Sequence, residues 1–133
     1  MSSNRAVVEE LLELMNSRER LPTHLFHEDV EWRWPDNVAG GSLFRGHEGV
    51  ERGIEVWTEP WEELVLETDE LIEDGDWVLA MLNYRARGAG SGLALEAPVA
   101  HLHQLDDGRI RRWWMFGDAE KARRRFLAGD RPG

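Results

Sequence analysis

Residues 75–116 constrain this chain more than any other stretch, because they read as three long β-strands joined by two tight turns. Asp74-Gly75 is a hairpin signal, and a strand from Asp76 to Arg87 follows it, opening on the apolar run Trp77-Val78-Leu79. Gly88, Gly90, Ser91 and Gly92 mark the next turn, and Leu93 to Leu105 forms the strand beyond it. Asp106-Asp107-Gly108 then turns the chain into a last strand, Arg109 to Phe116. Asp118 caps a closing helix that carries Phe126, with Glu120 and Arg124 one turn apart.

Helices precede that ribbon. Val8, Leu11, Leu12 and Met15 recur at helical spacing behind Ser2 and Ser3 as caps, with Glu9, Glu10 and Glu13 on the other face and Asn16-Ser17 near the stop. Leu21-Pro22-Thr23 begins a short helical turn through Leu25 and Phe26. Past Asp29, Val30, Trp32 and Trp34 alternate with Glu31 and Arg33, which predicts a strand over 30–34 ended by Pro35. Asn37 to Ser42 reads as a loop. Val50, Ile54, Trp57 and then Trp61 follow the spacing of a second helix that Pro60 ends. Gly49 and Gly53 lie inside it, each costing about 1 kcal/mol of propensity, which suits a helix pressed close to a sheet. Leu64 to Glu73 is strand-like. Helices first, then consecutive antiparallel strands and a closing helix, define an α+β class.

A chain of 133 residues is expected to form one domain, 1–133, and to bury roughly two-thirds of its unfolded surface without a metal or disulfide staple. It has no cysteine, so disulfide and thiol chemistry are excluded, and a reducing cytoplasm is the simplest location. No signal-peptide core and no membrane-spanning apolar run occur. A formal charge of -10 disfavours nucleic acid and anionic lipid as partners and leaves a neutral or cationic small molecule. Seven tryptophans belong in a core, a pocket or an interface.

This element order, with Phe44-Arg45-Gly46-His47-Glu48-Gly49-Val50 and Leu105-Asp106-Asp107-Gly108-Arg109-Ile110, resembles the nuclear transport factor 2-like superfamily over nearly the whole chain, its SnoaL-like branch above all. The resemblance implies a cystatin-like, cone-shaped roll in which a curved antiparallel sheet and the N-terminal helices enclose a pocket, and it implies a homodimer. It also implies the activities of cofactor-independent ketosteroid isomerases, polyketide cyclases and limonene epoxide hydrolases, or a non-catalytic role. The working groups of those relatives are missing. Trp34 stands before Pro35 where an isomerase keeps its carboxylate base. Counting back from Gly108 puts Ala100 at the oxyanion-hole acid, and the sole tyrosine is Tyr84, not a residue of the first helix. Arg85, in Leu82-Asn83-Tyr84-Arg85-Ala86-Arg87, matches the arginine of the epoxide hydrolases, but Arg87 and Met115 replace their aspartates.

Arg85 on this reading orients a substrate oxygen beside Asn83, or else it is a surface ion pair. Asp118 and Asp36 are the candidates for moving protons, against the plainer readings of a helix N-cap for Asp118 and a turn former for Asp36. Trp32, Trp34, Trp57 and Trp113, with Ala100, Leu102 and Met115, are expected to line an apolar cavity, or to fill it as core. His101 and His103 share one strand face, a metal-chelating spacing with His47 as a conceivable third ligand. No carboxylate or histidine completes a diagnostic pattern, and the parity implied by the resemblance turns both to the outer face, so no metal is expected. Two functions stay open: a SnoaL-like pocket protein with isomerase, cyclase or hydratase/hydrolase chemistry on a hydrophobic metabolite, and a binding or assembly module without catalysis.

Overall fold

The computed structural model describes residues 3–34 and 43–132. Helix α1 (Asn4–Ser17) leads through a 3-10 turn (Thr23–Leu25) into β1 (Phe26–Arg33). β2 (Leu43–Arg45) and α2 (Gly46–Thr58) precede the ribbon of β3 (Trp61–Asp74), β4 (Trp77–Gly88), β5 (Ala94–Asp106) and β6 (Arg109–Phe116), which α3 (Ala119–Leu127) closes. The six strands form one sheet in the order β2-β1-β6-β5-β4-β3.

Local chemistry accounts for most boundaries. Ser3 caps α1 by accepting from the Ala6 N–H at 3.1 Å, and Arg18 ends it in a left-handed conformation at φ 57°. Asn16, in the last turn, donates its amide to the Leu66 carbonyl at 3.0 Å and accepts from the Leu66 N–H at 2.7 Å, so α1 is clasped to β3 as a strand would be. Asp107 and Gly108 both take positive φ, 54° and 76°, the geometry of a two-residue hairpin that matches strand twist. Bulges in the β3–β4 and β5–β6 pairings bend the long strands into a curved sheet.

Three expectations are corrected. The sheet is mixed: β1 pairs with β6 in parallel, since no hairpin joins them and their relative direction is set by packing alone. The first strand begins at Phe26, not Val30. Trp61 is the first residue of β3 rather than a continuation of α2, as Pro60 cannot extend the helix. β2 has no counterpart in the sequence reading. The loop expected over 37–42 lies outside the described residues.

Apolar side chains lie on both faces of the sheet. On the concave face Val8, Leu11 and Leu12 of α1 and Val50 of α2 close over Val30, Trp32, Val78, Ala80, Leu82, Ile110 and Trp113. On the convex face Phe126 and Ala119 of α3 cover Leu79, Met81, Ala100, Leu102 and Trp114. The cone is thus walled by strands and roofed by α1 and α2, while α3 sits outside it.

Gly53 sets how near α2 approaches. A Cβ there would lie 2.6 Å from Cζ3 of Trp32, and that ring has nowhere to retreat because it stacks on Trp113 at 4.2 Å. Gly53→Ala gains about 1 kcal/mol of helix propensity but overpacks this contact by more, so a net loss of about 1–2 kcal/mol is expected in urea unfolding. An unchanged or higher midpoint would contradict the close packing of helix on indole.

A candidate site at the aromatic wall of the cone

Strand pairing decides which side chains enter the cone. Val78↔His103, Ala80↔His101 and Leu82↔Val99 tie β4 to β5, His101↔Met115 and His103↔Trp113 tie β5 to β6, and Trp32↔Trp113 joins β6 to β1. Partners in register share a face, so both imidazoles join the concave core, with Tyr84 six positions beyond Val78 on the same side of β4. His101 and His103 are 0 % exposed. The expectation that they face outward is corrected. β5 is covered on both faces, so its apolar residues do not alternate, and a one-residue miscount from a turn reverses every side chain.

The same geometry moves two expected lining residues out of the cone. Ala100 and Leu102 lie under α3, against Met81 and Leu79 of β4. Asn83 and Arg85 also face outward. Asn83 donates to Glu96 at 2.8 Å, and the Arg85 guanidinium is 63 % exposed with Nη1 2.8 Å from Oε1 of Glu67. Its ion pair with Glu67 places it away from any oxygen held in the cone. Asp118 is exposed and caps α3, accepting from the Lys121 N–H at 3.1 Å. Asp36 lies outside the described residues.

Trp32, Trp34, Trp57, Trp113 and Met115 do come together. Trp32 and Trp113 are fully buried and stack face to face, their rings 7° from parallel. Trp34 and Trp57 stand edge-on to Trp32 at 5.5 Å and 6.4 Å. Trp57 in turn meets the Tyr84 ring at 5.7 Å, and Tyr84 meets His101 at the same separation with the rings 89° apart.

The Tyr84 hydroxyl is hydrogen-bonded to Nε2 of His101 and lies 3.8 Å from Sδ of Met115. Nδ1 of His103 is 3.1 Å from the Val78 carbonyl, which can only accept, so the hydrogen sits on Nδ1 and Nε2 keeps its lone pair. Nδ1 of His101, Nε2 of His103 and the indole nitrogens of Trp32, Trp34 and Trp113 are buried without a partner among the described residues.

From the sequence Tyr84 stands out only as the sole tyrosine, not as a site residue. A signal existed: Asn83, Arg85 and Arg87 alternate with Tyr84 and Ala86, a polar-out pattern that turns the phenol inward.

Among the described residues, two clefts flank the cone. One of about 590 Å³ lies on the convex side between Trp114, Phe116, Asp118 and Phe126. The other, about 500 Å³, opens between the end of α1 and α2 over Leu21, Phe26, Val50 and Ile54, where His47 hydrogen-bonds to the Phe26 carbonyl. His47 is therefore held apart from the imidazole pair. Among the described residues no group of three or more His, Asp or Glu is placed to hold a metal, and no helix is long and apolar enough to cross a membrane.

Burial sets the ionisation of the cluster. It raises the Tyr84 phenol far above its ordinary value. Desolvation, and then the neighbouring His103, hold His101 well below the usual histidine range. Desolvation lowers His103 to about 4, against a smaller opposing effect from the Val78 carbonyl. Both imidazoles are thus neutral at physiological pH.

Because the folded values lie below the unfolded value of 6.5, the unfolded chain takes up protons first as pH falls. The stability is fully present above that value and is lost toward pH 4 at about 1.4 kcal/mol per pH unit for each imidazole. Between about pH 7.5 and about pH 5, the wild type should lose about 2 kcal/mol more than His103→Gln in urea unfolding. Equal losses would show that His103 titrates normally.

Compared with known proteins, the chain is similar in structure to a nuclear transport factor 2-like protein of unknown function from Burkholderia pseudomallei K96243, at 26% identity and a TM-score of 0.80, covering 93% of this chain and 97% of that one. It is similar to TerC co-crystallised with polyporic acid, at 21% identity and a TM-score of 0.77 over 92% and 97% of the two chains. IdmH from Streptomyces antibioticus matches at 19% identity and a TM-score of 0.73 over 95% and 99%. No curated protein matches the chain. The family model of the SnoaL-like domain matches residues 8–113, most of the 133, and the chain belongs to that family.

Proposed function

We propose that the cone takes up a flat hydrophobic small molecule and that His101 acts on it as the base of a cofactor-independent isomerase, cyclase or hydratase/hydrolase. The observation carrying this reading is a buried, uncharged imidazole whose Nε2 is anchored by Tyr84 while Nδ1 has no partner among the described residues. The tautomer this reading requires has Nε2–H donating to the Tyr84 oxygen and the phenol O–H turned to Sδ of Met115, which leaves the lone pair of Nδ1 free. Nδ1 takes a proton from an acidic C–H or O–H of the ligand, whose electron pair moves onto a neighbouring oxygen. The same imidazolium then returns the proton elsewhere on the molecule or its product. Tyr84 is a positioning residue that fixes the tautomer and accepts from the imidazolium. Trp32, Trp34, Trp57, Trp113 and Met115 supply the apolar wall, and Arg85 takes no part. A homodimer and a cytoplasmic location belong to the same reading, the latter supported by the absence of cysteine.

The second reading, a binding or assembly module, is favoured by the face-to-face contact of Trp32 and Trp113, which fills the centre of the cone with protein.

A thermal-shift screen of hydrophobic metabolites, polyporic acid among them, separates the two. A ligand at a hundredfold over its dissociation constant adds about 2.7 kcal/mol of stability. For a hit that the wild type converts, His101→Gln is expected to lower kcat about 10²–10⁴-fold. The rate should stay level through neutral pH and fall only below the ordinary histidine value, where Nδ1 becomes protonated. Tyr84→Phe should move that acid limb. Hits that bind but are never converted would favour the module.

A further inference from the structure

Basic side chains are spread unevenly over this acidic chain. The cleft of about 590 Å³ on the convex side is lined by Arg33, Lys121, Arg125 and Arg131 against two carboxylates, Asp118 and Asp130, although the chain as a whole carries a formal charge of -10. The fold brings these cations together from two walls. Arg33 stands in register with Leu43 of β2 and Trp114 of β6, so the three share the convex face. Lys121 and Arg125 are one turn apart on α3, beside Ala122 and Phe126, which pack on the sheet. Like charges at that spacing weaken a helix, so α3 gains nothing from the pair itself.

The protein neutralises these groups only in part. Asp118 is engaged in capping α3. Asp130 lies 3.7 Å from Arg125, and Glu31 lies 3.3 Å from Arg33 while also serving Arg45. Exposed pairs of this kind are weak and exchange readily for another anion. Lys121 is exposed and its ammonium forms no ion pair among the described residues. Arg131, by contrast, is committed to the protein: its guanidinium lies 3.8 Å over the Phe126 ring, donates to the Phe126 carbonyl at 2.9 Å and reaches Asp74 at 2.6 Å.

Between the basic walls the floor is apolar, formed by Leu43, Trp114, Phe116 and Phe126. That combination discriminates among ligands. A cation is repelled, a small hydrophilic anion leaves the aromatic floor uncovered, and a neutral aromatic leaves the cations without a partner. A flat aromatic acid uses both features, and an arginine fork matches the two oxygens of a carboxylate. The overall negative charge is no obstacle, because physiological salt screens charges more than about 8 Å away and leaves the local cations to decide.

We infer that this convex cleft is a second small-molecule site, outside the cone, for an aromatic carboxylate. Its ring lies on the floor of Trp114 and Phe116, and its oxygens are held between Arg33 on β1 and Lys121 with Arg125 on α3. The site stands independently of any chemistry at His101.

Naphthalene-2-carboxylate, naphthalene-2-carboxamide and acetate, titrated calorimetrically into the full chain, test it. The carboxylate is expected to bind about tenfold tighter than the carboxamide, which has the same shape without the charge, and acetate to bind more weakly than either. Raising the salt from about 0.05 M to about 0.5 M should weaken the carboxylate about threefold and leave the carboxamide unmoved. Lys121→Gln and Arg33→Gln, both at the surface, should each cost the carboxylate about threefold in affinity. Backbone amide resonances of Phe116 and Lys121 should shift on adding the carboxylate while the indole N–H resonances of Trp32 and Trp113 stay in place. No binding, equal affinities for carboxylate and carboxamide, or shifts at Trp32 and Trp113 in place of Phe116 and Lys121 would each overturn the inference, the last of these in favour of the cone.

Discussion

The stacking of Trp32 on Trp113 holds the rest of the structure in place. It joins β1 to β6 across the only parallel pairing among the described strands, where no hairpin enforces neighbourhood. Two indoles 4.2 Å apart bury a large apolar area on a seam that loop-closure entropy would otherwise leave weak. α2 is positioned by the same ring, since Gly53 rests directly on Trp32 and no larger residue fits there. Phe26 and His103 extend the stack to the start of β1 and the middle of β5. The N-terminal helices, the seam and the imidazole pair are thus packed around one aromatic column.

That column also explains the chemistry of the site. Imidazoles surrounded by indoles and aliphatic strands lose water without gaining a counter-ion, so they remain neutral where a surface histidine would be partly charged. Tyr84 is kept protonated for the same reason and engages the one imidazole nitrogen within its reach. On the other side of the sheet the polar groups are solvated and partnered, Arg85 by an ion pair with Glu67 and Asn83 by a hydrogen bond to Glu96. A strand such as β4 therefore carries both environments at adjacent residues, and only its pleat separates a desolvated interior from an ordinary surface.

Several features were legible before any coordinates. The hairpin at Asp107-Gly108 was readable because two positive φ angles demand those residue types. The caps at Ser3 and Asp118 and the spacing of Leu11, Leu12 and Met15 were equally plain. Trp32, Trp34, Trp57 and Trp113 pack together, because residues so large and apolar have few other places to go. The faces of Ala100, Leu102, His101 and His103 were not readable. β5 is sandwiched between the cone and α3, which erases the alternation from which a face is inferred.

By itself the sequence determined the class of elements, their order, their turns and the family to which the chain belongs, since propensity, capping and turn chemistry act over a few residues at a time. Only the tertiary structure decided that β1 lies parallel to β6, that Arg85 points away and that Tyr84 meets His101. Those outcomes depend on which residues stand opposite one another across distant strands. A single bulge or turn residue shifts that register by one, and no local preference records it.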